Sequence, residues 1–133
     1  PAGDVPEPGS PGAAAVQALF DELDRAAGRP WVMLSAGAGM TEFRRVLHYA
    51  YSAGASGYLA GRAIWLEAFQ RFPDWDGIRD ELRGAAVPYM RDLNALTGMM
   101  ARPWDTHPCY GVAGARVEPA DSTFRHVYAG FGG

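Results

Sequence analysis

Two short apolar runs, each leading into a glycine turn and then into a helical pattern, constrain this chain more than any other feature. Trp31-Val32-Met33-Leu34 runs into Ser35-Ala36-Gly37-Ala38-Gly39, and Gly57-Tyr58-Leu59-Ala60 runs into Gly61-Arg62. A continuous apolar run of this length, bounded by turn residues, reads as a strand buried on both faces. After the first turn, Thr41 is placed to cap a helix whose inner face is Phe43, Val46, Leu47, Ala50 and Tyr51, ending at Gly54. After the second, residues 63–72 carry a helical pattern through Ile64, Trp65, Ala68 and Phe69. Strand, glycine loop and helix occurring twice in tandem predict parallel strands with a right-handed crossover, as in doubly wound sheets and (β/α)8 barrels. Two strands leave sheet edges unpaired, so the pattern predicts an α/β fold in which this chain is a piece of a larger domain.

The flanking segments fit that reading. Residues 1–11 are Pro/Gly-rich and read as coil, and the first residue, Pro1, suggests that the natural start is missing. Ser10 as cap and Pro11 in the first turn open an amphipathic helix of about four turns, with Val16, Leu19, Phe20 and Leu23 recurring until Gly28. Residues 76–97 read as two helices, one with Ile78 and Leu82, the other with Tyr89, Leu93 and Leu96, broken around Gly84 and Pro88. From Arg102 onward no period persists, and Trp104, Tyr110, Phe124, Tyr128 and Phe131 are expected to pack locally. The expected division is coil over 1–11, the barrel-like part over 12–104 and a tail of unassigned structure over 105–133.

Composition narrows the function classes. The 133 residues, 48% hydrophobic, suffice for one small domain. A net charge of -3 argues against nucleic acid as a partner. No run approaches the ~20 apolar residues of a membrane span, and no signal segment is visible, so no membrane partner is expected. The single cysteine, Cys109, excludes an internal disulfide and a multi-cysteine zinc site, and points to a reducing, cytoplasmic location. All 12 basic residues are arginine. With no lysine, the chain has no side-chain amine to condense with a ketone, because arginine is too basic for that chemistry.

Glycine turns at the ends of successive parallel strands, each opening a helix, set backbone N–H groups and the helix dipole toward an anion. The candidate phosphate ligands are the Ser35 hydroxyl, the amides of Gly37, Ala38 and Gly61, and the Arg62 guanidinium, which can fork onto two oxygens. The plainer account is that the glycines only make turns and Arg62 pairs with a neighbouring acid. Other polar residues read as ordinary. His107-Pro108-Cys109 lacks a third ligand and reads as coil, so no metal is expected. His48 is a packing or surface residue, and His126 has no assigned role. Asp21, Glu22 and Asp24 beside Arg25 form a solvated helix face, and Glu42 is explained by the dipole of the helix it opens. Trp65 and Phe69 read as core at helical spacing.

The stretch from Pro30 to Gly37, and Ala53-Gly54-Ala55-Ser56-Gly57-Tyr58-Leu59-Ala60-Gly61-Arg62-Ala63-Ile64-Trp65, resemble the last two β-α units of the tagatose 1,6-bisphosphate aldolase family. The related sulfofructosephosphate aldolases share these motifs. Ile78-Arg79-Asp80-Glu81-Leu82 and Leu93-Asn94-Ala95-Leu96 through Pro103-Trp104 resemble the family's closing helices. The likeness covers about residues 14–104; Gly-Arg-Ala-Ile-Trp is its more specific motif. It implies the C-terminal part of a (β/α)8 barrel that cleaves a ketose bisphosphate to dihydroxyacetone phosphate and an aldehyde phosphate, through a lysine Schiff base and without a cofactor. Phosphate-binding roles are implied for Ser35, Gly37, Gly61 and Arg62, and the lysine is expected upstream of Pro1. The full-length form is expected to be a homo-oligomer. A sulfofructosephosphate aldolase, or a non-catalytic phosphosugar-binding or association module lacking the lysine, is the alternative, and the segment after Trp104 departs from the family pattern.

Overall fold

Alanine, the residue with the highest helix propensity, dominates the first helix, α1 (Ala13–Ala27). In the computed structural model, which describes residues 5–115, α1 starts from Gly12 at φ 90°. Ser10 does not cap it: the Ser10 hydroxyl donates to the Glu7 carbonyl at 2.6 Å, and Pro11 precedes the helix. Gly28, in the left-handed conformation at φ 58°, ends it as expected. Phe20 stacks on Tyr49 of the next helix, with ring centroids 6.0 Å apart, whereas Leu19 and Leu23 point outward. The apolar stripe is thus only partly used, because a single neighbouring helix covers only the Phe20 side.

Strand β1 (Val32–Leu34) pairs in parallel with β2 (Gly57–Leu59), in the register Val32 to Gly57 and Leu34 to Leu59. Between them lies α2 (Met40–Ala53), which ends at Gly54 as predicted but starts from Gly39, leaving Thr41 exposed inside the first turn. Alternation puts Met33 and Tyr58 on one face of the pair and Val32, Leu34 and Leu59 on the other. The first face packs on a core of Phe43, Leu47, Ala50, Tyr51, Ala55, Ala63, Leu93 and Leu96. The second is open, with Val32, Leu34 and Leu59 at 40%, 56% and 61% exposure. The expectation of strands buried on both faces is corrected: the helices lie on one side, and no described element covers the other.

Helix α3 (Arg62–Phe69) turns its small residues, Ala63 and Ala68, inward. Trp65 and Phe69, expected in the core, are instead 40% and 45% exposed and pack edge-to-face on each other. Asp74 caps α4 (Trp75–Glu81) by accepting the Gly77 N–H at 2.9 Å. The expected break around Gly84 and Pro88 is a widened π-helical turn (Leu82–Ala86) that leads without interruption into α5 (Val87–Met100). A proline at 88 has no N–H and crowds the carbonyl four residues earlier; widening the turn accommodates it where a regular α-helix would kink or stop.

Three tyrosine hydroxyls tie these layers together. Tyr58 donates to Asn94 Oδ1 at 2.8 Å, Tyr51 pairs with the Thr97 hydroxyl at 2.8 Å, and Tyr89 donates to the Met40 carbonyl at 2.7 Å. Burial pushes the Tyr89 phenol up to about 12. After α5, the Arg102 N–H donates to the Ala55 carbonyl at 3.1 Å, and its guanidinium lies across Gly54 and 3.8 Å from Asp24. Asp24 also accepts the Trp31 indole N–H at 2.7 Å. Asp24 therefore links α1 to β1 and to the segment after α5, a correction to its reading as part of a solvated face.

Gly54 sits at φ 120°, and a Cβ there would lie 2.6 Å from the Arg102 guanidinium carbon. Gly54→Ala is therefore expected to destabilise the fold by about 1–3 kcal/mol through backbone strain, with displacement of Arg102 in addition. A shift of the urea midpoint checks this.

Beyond α5, two 3-10 turns (Trp104–Thr106 and Pro108–Tyr110) bring Trp104 and Tyr110 into edge-to-face contact, the local packing expected of them. Phe124, His126, Tyr128 and Phe131 lie outside the described residues.

Candidate phosphate-binding cleft

Because β1 and β2 run parallel and in register, the turns that follow them leave the sheet at the same end. The Ser35 N–H donates to the Leu59 carbonyl at 3.1 Å, fastening the first turn to the second strand. The Ala38 N–H then donates to the Ser35 carbonyl at 2.8 Å across Ala36 at φ 49° and Gly37 at φ 90°. Two successive positive φ angles make a tight turn that glycine adopts freely, while Ala36 is held there at a cost of about 1–2 kcal/mol. The Ala38 amide is spent on closing this turn, which removes it from the candidate anion ligands. The Gly37 amide donates to no backbone carbonyl among the described residues.

Gly61 forms the second turn and opens α3, its carbonyl accepting the Ile64 N–H at 2.8 Å and the Trp65 N–H at 3.2 Å. Arg62, exposed at the first position of that helix, reaches back across the sheet end. Its Nη2 lies 3.5 Å from the point a Gly37 Cβ would occupy. A Cβ at 37 would only touch the guanidinium at van der Waals distance, so it is the positive φ of 90°, not the space, that calls for glycine in this turn. No ion pair joins Arg62 to a carboxylate among the described residues; the ion pairs present use Arg44, Arg45, Arg71, Arg79 and Arg102. The plainer account, in which Arg62 serves only to neutralise a neighbour, finds no partner there.

Ser35, Gly37, Gly61 and Arg62 all line one open cleft of about 630 Å³. Its walls are Leu34, Leu59 and Trp65. Ser35 is buried at 8% exposure, and the α3 N-terminus adds its first N–H groups and positive dipole end. Chemically this arrangement favours an oxyanion with several acceptor oxygens beside a short apolar segment. Trp65 is the lining residue that sequence reasoning missed. Its signal was present in the i, i+4 spacing from Gly61, which on a helix that leans its side chains toward the N-terminus puts residue 65 over residue 61.

The remaining candidates stay outside the cleft. His107 Nδ1 accepts the Cys109 N–H at 3.1 Å, a local cap on a 3-10 turn, and Cys109 is exposed. Glu42 occupies the first turn of α2, and His48 is half-buried further along it. No group of three His, Cys, Asp or Glu side chains suited to a metal exists among the described residues. Two smaller hollows beside α4 are lined by Asp80 or Glu67 together with an Arg71–Glu81 ion pair of 2.7 Å, which suits them poorly to anions.

Comparison with known proteins finds similar sequences. Residues 5–67, which include the first strand–turn–helix unit and the second as far as the middle of α3, match the family model described as DeoC/LacD family aldolase. Over those residues the chain is similar to the DeoC/LacD aldolases. It is similar to the tagatose 1,6-diphosphate aldolases of Staphylococcus aureus strains JH9, Newman and N315, at 35% identity over 89 residues. That alignment takes in 64% of this chain and 27% of each relative, so the chain spans about a quarter of the length of the curated relatives it matches. The DeoC aldolases are built on the (β/α)8 barrel. A parallel pair flanked by helices on one face, with its other face open, is consistent with part of one. Among the described residues no helix is long and apolar enough to cross a membrane.

Proposed function

We propose that this chain belongs to the DeoC/LacD aldolase family and is the barrel-closing, phosphate-binding segment of a cytoplasmic class I aldolase acting on a ketose 1,6-bisphosphate. Tagatose 1,6-bisphosphate is the substrate that the relatives' names supply. The observation that carries the reading is the Arg62 guanidinium lying over Gly37 at the shared end of two parallel strands. There, Ser35, Gly37, Gly61 and Arg62 surround one phosphate with donors drawn from two turns. A sulfonate presents three comparable oxygens, and the same cleft would hold it.

In this reading the chain's residues bind and orient, while a lysine outside residues 1–133 does the covalent chemistry. The amine condenses with the substrate ketone and expels water; the hydroxyl on the departing carbon then gives its proton to a base and becomes the aldehyde as the carbon–carbon electron pair moves into the iminium, and the enamine left is protonated at carbon and hydrolysed. Fixing the phosphate end contributes to that step by holding the carbonyl carbon within reach of the amine and removing translational freedom.

Borohydride trapping of the full-length polypeptide with dihydroxyacetone phosphate tests the assignment. The expected result is a stable adduct that peptide mapping places outside residues 1–133. Absence of an adduct would reject the aldolase reading in favour of a binding module without chemistry.

A further inference from the structure

The four tryptophans of this chain have different surroundings. Trp31 gives its indole N–H to Asp24 at 2.7 Å. Trp75 and Trp104 pack against Phe72 and Tyr110, away from the cleft. Trp65 alone borders the cleft, and its indole N–H donates to no protein acceptor among the described residues. The indole nitrogen lies 3.4 Å from the point a Gly61 Cβ would occupy, directly over the turn that opens α3. Phe69, one turn further on, backs the ring edge-to-face with centroids 5.5 Å apart and fixes its orientation. A large aromatic ring at 40% exposure, braced from behind and turning a donor-only nitrogen toward the Gly61 turn, is arranged to meet something other than protein.

We propose that Trp65 is a further ligand-contacting residue of the cleft, its indole N–H donating to an oxygen of the bound phosphate ester beside the Arg62 guanidinium. The inference rests on the phosphate-binding reading above and extends it to a residue with no previous assignment. The indole completes a donor set drawn from both turns. Because it accepts nothing, it favours a fully oxygenated anion over a ligand that offers an N–H or O–H at that position. Its ring, continuous with Leu34 and Leu59, provides the apolar wall along which the carbon adjoining the phosphate lies.

The test is calorimetric titration of the full-length protein with inorganic phosphate and with dihydroxyacetone phosphate, comparing wild type, Trp65→Phe, Trp75→Phe and Arg62→Ala. Phenylalanine keeps the contact with Phe69 and removes only the N–H. The expected loss for Trp65→Phe is about tenfold in affinity, the scale of one hydrogen bond to a charged group, with Trp75→Phe unchanged. The ligand-induced change in tryptophan emission should persist in Trp75→Phe and vanish in Trp65→Phe. A readout that needs no variant to fold is the indole N–H resonance of the wild-type protein, one of which should shift on adding phosphate. If Trp65→Phe binds as wild type while Arg62→Ala is weakened, or if no indole resonance moves, the assignment of Trp65 falls and the phosphate site stands. If wild type binds neither ligand, or Arg62→Ala equals wild type, the phosphate reading falls and the Trp65 assignment falls with it.

Discussion

Truncating Phe43 to alanine is expected to cost about 3–5 kcal/mol of stability, enough to unfold much of a domain whose total is about 5–15 kcal/mol. Phe43 is fully buried on α2 and meets Tyr58 of β2 edge-to-face, with ring centroids 6.1 Å apart. Leu47 and Leu93, equally buried, complete the same cluster. Removing the ring leaves a cavity at the junction of α2, β2 and α5, where helices and strands hold one another in place and cannot collapse inward independently. The fall in urea midpoint measures the effect. Leu19→Ala, at a position 66% exposed on α1, is the control and should change stability little. A loss below about 1 kcal/mol for Phe43→Ala would show that the core is not centred on this contact.

Arg62→Ala is expected to weaken binding of dihydroxyacetone phosphate by about ten- to a hundredfold, the loss of one or two charge-assisted hydrogen bonds at roughly 1.5–3 kcal/mol. Stability should be nearly unchanged, because the side chain is exposed and makes no ion pair among the described residues. Arg62→Lys should fall between the two, keeping the charge while losing the planar fork that engages two oxygens at once. Titration calorimetry with thermal unfolding in parallel separates lost binding from lost fold. Unchanged affinity in the alanine variant would overturn the phosphate-binding reading of the cleft.

The two experiments probe different consequences of one arrangement. Phe43 and Tyr58 fix how α2 lies on the strand pair, and that in turn sets where the turns after Leu34 and Leu59 come to rest. A core change that shifts α2 by a fraction of an ångström would also move Gly37 relative to Arg62.

Much of this was legible in the residues alone. Apolar runs ending in glycine marked both strands and the turns after them, and Gly28 and Gly54 marked helix ends, because local backbone conformation depends on near neighbours in the chain. The family resemblance was likewise carried by contiguous motifs. Periodicity says which residues share a face but not what covers it. Leu19, Leu23, Trp65 and Phe69 followed helical spacing yet lie exposed, and the apolar strands have a bare face, since burial depends on neighbours supplied from elsewhere in the fold. Asp24 read as one acid among several on a wet helix, and only the approach of Trp31 and Arg102 made it a link. The residue types therefore determined that two glycine turns follow two strands and that an arginine stands after the second. Only the tertiary structure decided that this arginine crosses to the first turn, that the Ala38 amide is already taken and that Trp65 walls the cleft. The physical reason is that such convergence is set by the parallel register of β1 and β2 and by the rotation of α3 about its own axis, and packing between distant segments fixes both.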